Sequence, residues 1–167
     1  YRKLATVLER TKMLVTAEDL GLLPECVQPT LDALRILTLE VQTLPKQHGV
    51  EFSHLEANPY LSVATISTHD MPPLRLWWQE RPEAAQHYFR ERMQKEGRAP
   101  QALTTTLAEE IISRHAYSPS MLCMISLQDW LAMDATLRTP DPAPCGPDGC
   151  SHSRTACRSP YPSSGPM

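Results

Sequence analysis

Features that would assign a protein class at once are missing from this sequence of 167 residues. It has no run of about 18 apolar residues, the minimum for a membrane-spanning helix. The 16 lysines and arginines are outnumbered by 19 aspartates and glutamates, and the net charge of -3 gives no electrostatic basis for binding nucleic acid or anionic lipid. We therefore expect a soluble protein with neither a membrane nor a nucleic acid as its partner.

The sequence also lacks a starting methionine, and its first eleven residues already show the apolar spacing of a helix. A complete eight-stranded α/β barrel needs about 250 residues, so we expect this chain to be a segment of a larger domain. Cys26 and Cys123 each stand alone in an apolar segment, which predicts buried, reduced thiols. This use of cysteine favours the cytoplasm.

Four short apolar segments alternate with longer segments of helical spacing. The predicted strands are Lys12–Thr16, Ile36–Val41, Leu61–Ser67 and Met121–Leu127. Helices are predicted at residues 1–11, 24–35 and 103–115, and after Pro72 and Pro82. This order is typical of βαβ units, and it predicts an α/β fold with a parallel sheet or part of a barrel.

Polar side chains follow several of the predicted strands. They are Glu18 and Asp19, then Thr68, His69 and Asp70, then Gln128 and Asp129. The carboxyl ends of parallel strands carry the ligand groups of such folds, and paired carboxylates there are suited to cleaving glycosidic bonds. Spacing alone equally allows Glu18, Asp19 or Asp70 to cap the helix that follows, so both interpretations stay open at this point.

A resemblance favours the catalytic interpretation. The segments KMLVTAEDLGLLP, LRILTLEVQ, NPYLSVATISTHDMPPLRLWW and MLCMISLQDWL, in this order, resemble the 4-α-glucanotransferases of glycoside hydrolase family 77. The similarity covers about residues 1–142. It implies a partial (β/α)-barrel, roughly strands five to eight with their helices, and an enzyme that moves α-1,4-glucan segments between acceptors by a retaining mechanism.

The resemblance also implies roles for individual residues. The EDLG glutamate, Glu18, would be the general acid/base, and the STHD aspartate, Asp70, the transition-state stabiliser. His69 would hydrogen-bond sugar hydroxyls, and Asp19 would contact sugar or support its loop. Trp77 could stack on a glucose ring, although an adjacent tryptophan pair in an apolar turn is more often core.

At the end of the last predicted strand, Gln128 and Asp129 would contact sugar or support the loop. The family's third carboxylate, a nucleophilic aspartate in an R-x-D-type motif, belongs to an earlier strand, and no such motif precedes Glu18. The resemblance therefore implies that this chain alone forms no covalent glucosyl intermediate. The alternatives are a plain α-glucan hydrolase and a non-catalytic glucan-binding or structural fragment. No metal or organic cofactor is expected.

The composition changes at residue 140, which divides a barrel segment at 1–139 from a tail at 140–167. These last 28 residues hold seven prolines and three cysteines but no valine, isoleucine, leucine, phenylalanine or tryptophan. Such a composition cannot build a core and predicts disorder, and its departure from the family suggests a shifted reading frame. The Cys145, Cys150, His152 and Cys157 set matches no common zinc-site spacing.

Overall fold

The computed structural model describes residues 1–21 and 23–138, so the tail from residue 140 and its cysteines lie outside the described residues. The described helices are α1 (Arg2–Arg10), α2 (Val27–Leu34), α3 (Leu74–Glu80), α4 (Pro82–Glu91), α5 (Thr105–Ala116) and α6 (Leu127–Leu131). The described strands are β1 (Thr38–Val41), β2 (Ser62–Thr65) and β3 (Leu122–Cys123), and a 3-10 turn spans Leu55–Ala57. The helices predicted near residues 1–11, 24–35, 82 onward and 103–115 are confirmed.

The three strands form one parallel sheet in the order β1-β2-β3. Thr38 pairs with Ser62 at one end of the β1-β2 ladder, and Val41 pairs with Thr65 at the other. The helices between β2 and β3 form the crossover that two parallel strands need. The predicted α/β class and the parallel sheet are therefore confirmed.

The first predicted strand is wrong as a regular strand. In place of Lys12–Thr16 there is one isolated parallel bridge between Thr16 and Leu37, in which the Leu37 amide donates to Val15. Met13 and Leu14 are exposed, so this segment has no second face to bury. The segment therefore lies at the edge of the described sheet and pairs with it at one residue.

The fourth predicted strand is also shorter than expected. Only Leu122 and Cys123 are in β3, and α6 begins at Leu127 because the Ser126 hydroxyl accepts a hydrogen bond from the Asp129 amide. Gln128 and Asp129 therefore belong to a helix rather than to the tip of a strand.

The expectation of two buried thiols is wrong, because both Cys26 and Cys123 are exposed. Cys26 immediately precedes α2, where the chain is still at the surface. Cys123 lies in β3, which among the described strands pairs only with β2, so its outer side has no cover there. An apolar local sequence was not enough to bury either thiol.

The core lies where α3, α4 and α5 pack beside β2. Proline at the first position of α4 fixes the start of that helix, and its face of Ala85, Tyr88 and Phe89 is buried. Phe52 and Trp77 contact Tyr88 edge-on, with ring centroids 5.2 and 6.0 Å from the tyrosine ring. This aromatic cluster anchors the helical layer next to the segment that carries Asp70.

His115 is buried in this helical layer, and its burial leads us to predict that the stability of the chain depends on pH. Its Nδ1 lies 2.8 Å from the Ile111 carbonyl oxygen, while its Nε2 is buried with no hydrogen-bond partner among the described residues. Burial is the main cause that lowers the pKa of His115, against opposing effects of the Ile111 carbonyl and Asp129. The folded chain therefore takes up this proton less readily than the unfolded chain does.

The free energy of unfolding should accordingly fall as pH drops below about 6.5, where an unfolded histidine becomes protonated. Urea unfolding of the chain between pH 5.5 and 7.5 measures this dependence, and His115→Asn, which keeps a donor for the Ile111 carbonyl, should make it shallower. His48→Asn, at an exposed histidine, is the matched control. An equal pH dependence in the parent chain and in His115→Asn would show that His115 is not responsible.

Candidate active site

The candidate residues Glu18 and Asp70 extend from the same edge of the sheet. Glu18 follows the bridge at Thr16, and Asp70 follows β2. Because the strands are parallel, their carboxyl ends meet at one edge, and β1 lies between the two segments. Both carboxylates are exposed and therefore accessible to a ligand.

The segment that carries Glu18 is fixed by the adjacent residue, Asp19. Asp19 is only 2% exposed, and its carboxylate accepts hydrogen bonds from the Leu39 amide at 2.8 Å and from the Lys46 ammonium at 2.7 Å. Lys46 also contacts Glu40 at 2.6 Å. One ammonium group thus joins a buried aspartate before β1 to a glutamate within β1.

A sharp turn follows these two carboxylates. Gly21 has a φ of 81°, in the left-handed region where a side chain would be strained. The two acids before it have opposite environments, since Glu18 is exposed and Asp19 is buried.

The second segment presents His69 and Asp70 together. The His69 Nε2 lies 3.3 Å from a carboxylate oxygen of Asp70, and the two side chains are 77% and 66% exposed. The Thr68 hydroxyl accepts from the Asp70 amide at 3.3 Å, and the Thr68 carbonyl accepts from the Met71 amide at 3.1 Å. These local bonds form a tight turn whose polar tip faces outward.

The remaining predicted site residues have different environments. Gln128 is exposed, whereas Asp129 is 1% exposed and accepts hydrogen bonds from the Ser67 hydroxyl, the Leu74 amide at the start of α3 and the Ser126 hydroxyl before α6. Trp77 and Trp78 are both buried, and the Trp78 indole donates to the Pro100 carbonyl at 2.8 Å. The interpretation of this tryptophan pair as core is the one that the structure supports.

Two features of the site were not predicted from the sequence. Lys46 lies 27 residues beyond Asp19, outside every predicted strand and helix, and no local pattern marks it. The Ser126-Leu-Gln-Asp129 segment, by contrast, has the spacing of a helix-capping motif, and this signal would have placed Asp129 in the first turn of a helix.

No group of three or more side chains suited to holding a metal ion occurs within residues 1–21 and 23–138. In the same ranges, none of the helices is sufficiently long and apolar to cross a membrane.

The comparison with known families matches residues 1–146 to the 4-alpha-glucanotransferase model of the glycoside hydrolase 77 family. The chain belongs to the 4-alpha-glucanotransferase family. The match includes every candidate site residue, from Glu18 to Asp129, and continues seven residues beyond the predicted domain boundary at 139.

Curated members of the family agree with this assignment. The 4-alpha-glucanotransferase DPE2 of Oryza sativa subsp. japonica is 32% identical over 132 residues, which are 79% of this chain and 14% of the rice protein. The 4-alpha-glucanotransferase of Chlamydia muridarum is 33% identical over 84 residues, 49% of this chain and 16% of that protein. The chain thus spans about one seventh of the length of these 4-alpha-glucanotransferases.

A solved structure supports the fold of this 4-alpha-glucanotransferase segment. The amylomaltase from Streptococcus agalactiae, determined in complex with acarbose, superposes with a TM-score of 0.58 at 18% identity. The superposition covers 76% of this chain and 25% of the amylomaltase. At this identity the similarity establishes the α/β fold and nothing about ligands.

Proposed function

We propose that residues 1–139 form the carboxyl-terminal half of a (β/α)-barrel in a 4-alpha-glucanotransferase that transfers α-1,4-glucan segments by a retaining mechanism. The observation that supports this function best is the placement of two exposed carboxylates, Glu18 and Asp70, at one edge of a parallel sheet. A retaining transferase uses carboxyl groups on both sides of the scissile bond, so a common edge is the arrangement it needs.

In this proposal Glu18 alternates between two protonation states. As an acid it gives its proton to the glycosidic oxygen of the departing sugar, and as a base it accepts a proton from the hydroxyl of the incoming acceptor. The Asp70 carboxylate stabilises the positive charge that develops on the ring during each step. His69, exposed beside Asp70, donates to or accepts from sugar hydroxyls.

The substrates we propose are α-1,4-glucans, such as maltooligosaccharides, starch or glycogen. Pyranose rings offer many hydroxyl groups, and the exposed side chains of Glu18, His69 and Asp70 at the sheet edge provide polar partners for them. Gln128, exposed in α6, is a further candidate partner. The buried position of Trp77 assigns its ring to packing rather than to stacking on sugar.

We propose further that the isolated chain does not catalyse transfer. A retaining double displacement requires a nucleophile that forms the glucosyl intermediate, and no R-x-D-type motif precedes Glu18 in this sequence. The chain would then contribute acid/base and stabilising groups to a site whose nucleophile comes from elsewhere.

A chimera tests the proposed function. In the rice relative, the 132 matched residues are replaced by the corresponding residues of this chain, and the product is called the rice chimera below. Incubated with maltotriose and labelled glucose, the rice chimera should incorporate label into longer glucans. The 167-residue chain alone should incorporate none.

Two results would contradict the proposal. A rice chimera that is folded by circular dichroism but releases only free sugars would indicate an α-glucan hydrolase. A folded rice chimera that is inert, together with calorimetric binding of maltoheptaose by the isolated chain, would indicate a non-catalytic glucan-binding segment. The missing nucleophile motif is what favours this second alternative for the isolated chain.

A further inference from the structure

Asp129 is a buried candidate site residue, as Asp19 is, but its carboxylate joins three separate segments of the chain. It lies in the first turn of α6 and is 1% exposed. One carboxylate oxygen, Oδ1, accepts a hydrogen bond from the Leu74 amide at 2.7 Å. The other, Oδ2, accepts from the Ser67 hydroxyl at 3.0 Å and from the Ser126 hydroxyl at 2.9 Å.

The two more distant partners of Asp129 are the two ends of one loop. Ser67 lies two residues after β2, and Leu74 is the first residue of α3. Between them lies the turn that presents His69 and Asp70 to solvent. A single buried carboxylate therefore fixes the place where this loop leaves the sheet and the place where it enters the helix.

The start of α3 depends on this contact. The residue before the helix is Pro73, which makes no capping bond through its side chain, so the Leu74 amide would otherwise have no acceptor at the helix start. Asp129 supplies that acceptor from 55 residues further along the chain. A charged acceptor in a buried position makes stronger hydrogen bonds than a neutral or solvated one.

Direct contact between Asp129 and a sugar is incompatible with this arrangement. Both oxygens are already hydrogen-bonded within the protein, and almost none of the residue is accessible. Its effect on the reaction must therefore pass through the loop that it holds.

We propose that Asp129 is a positioning residue, which sets the orientation of Asp70 by fixing both ends of the Ser67–Leu74 loop from a neighbouring βα unit. The inference rests on the proposed role of Asp70 in transfer, whereas the loop anchoring rests on the hydrogen bonds alone. A displacement of about 1 Å at a catalytic group costs as much as a hundredfold in rate, so an anchor of this kind affects turnover without touching substrate.

The test begins with amide hydrogen exchange in the full 167-residue chain. Asp129→Ala should make the Leu74 and Met71 amides exchange about tenfold faster or more, because Leu74 loses its acceptor and the turn loses its anchor. Exchange rates of amides in the β1-β2 ladder should rise only by the factor that the loss of overall stability accounts for. Asp129→Asn keeps one carbonyl oxygen for Leu74 and should fall between the parent and the alanine variant.

Asp134→Ala is the matched control. This aspartate is five residues further on, is exposed, and its side chain accepts hydrogen bonds from the nearby Thr136. It should leave exchange at Leu74 and Met71 unchanged. If Asp129→Ala behaved in the same way, the anchoring would be refuted.

Kinetics of the rice chimera test the positioning itself. Asp129→Asn should lower kcat by about tenfold with KM within about twofold, since Asp70 is misplaced in the transition state while ground-state sugar contacts remain. Faster loop exchange with kcat unchanged would overturn the positioning role. An unsubstituted rice chimera without transfer would instead count against the proposed function, and the exchange experiment would still decide the anchoring.

Discussion

Glu18→Gln in the rice chimera should lower the rate of maltotriose disproportionation by about 10²- to 10⁴-fold, the usual contribution of general acid/base catalysis. Glutamine has the same shape and keeps a hydrogen-bonding oxygen, but it cannot release or accept the proton that each step requires. The loss should appear in kcat, measured from initial rates of glucose release at saturating maltotriose. Activity within about tenfold of the parent would remove Glu18 from the acid/base role.

The matched control is Glu25→Gln. Glu25 is also exposed and lies in the same connection between the Thr16 bridge and α2. It should leave the rate unchanged, which separates loss of the proton at Glu18 from a general change in surface charge.

Binding provides a second readout for the same variant. A proton-transfer group contributes mainly in the transition state, so Glu18→Gln should bind maltoheptaose with an affinity close to that of the parent. A loss of affinity as large as the loss of rate would instead mean that residue 18 only holds substrate. Calorimetric titration of the two proteins compares these outcomes.

The helices could be predicted from the sequence because the information that forms them is local. In α4 the proline at its start and the apolar spacing of Ala85, Tyr88 and Phe89 determine both the boundary and the buried face. In α5 the Thr104 hydroxyl accepts from the Leu107 amide, which is again a contact within four residues. Short-range hydrogen bonds and periodicity are sufficient for both.

The strands at the edges were predicted less well because a strand depends on its neighbours. Lys12–Thr16 and Met121–Leu127 have the composition of strands, yet each has a strand partner on only one side among the described residues, and each pairs over one or two residues. Their outward side chains, such as Met13 and Met124, stay exposed. Propensity alone could not distinguish these segments from β2, which pairs on both sides.

The candidate site divides in the same way. Glu18, His69 and Asp70 could be selected from the sequence because polar residues follow apolar segments, and their motifs resemble a family. The buried residues that hold these side chains in place could not be selected in this way. Asp19 bonds to Lys46, 27 residues away in sequence, and Asp129 bonds to Leu74, 55 residues away. The exposed site residues can be recognised from their local sequence. The buried residues that orient them come together only in the folded chain.

Lys46→Met should destabilise the chain by about 2 kcal/mol, less than the 3–5 kcal/mol typical of a fully buried pair because the lysine side chain is 28% exposed. The loss arises because the Asp19 carboxylate, 1% exposed as a side chain, loses its cation and is left with the Leu39 amide as its described partner. Adding Asp19→Asn to Lys46→Met removes that buried charge and should recover part of the stability. Urea unfolding of both single variants and the double variant gives the coupling free energy.

Lys95→Met is the matched control for this cycle. Lys95 pairs with Glu110 at 2.9 Å, but both side chains are more accessible, 37% and 29%, so the change should cost less than about 1 kcal/mol. A double variant less stable than Lys46→Met would mean that Asp19 stabilises the fold without its cation, through the Leu39 amide. In that case the Leu39 amide would be the main contact through which Asp19 fixes the segment carrying the proposed acid/base.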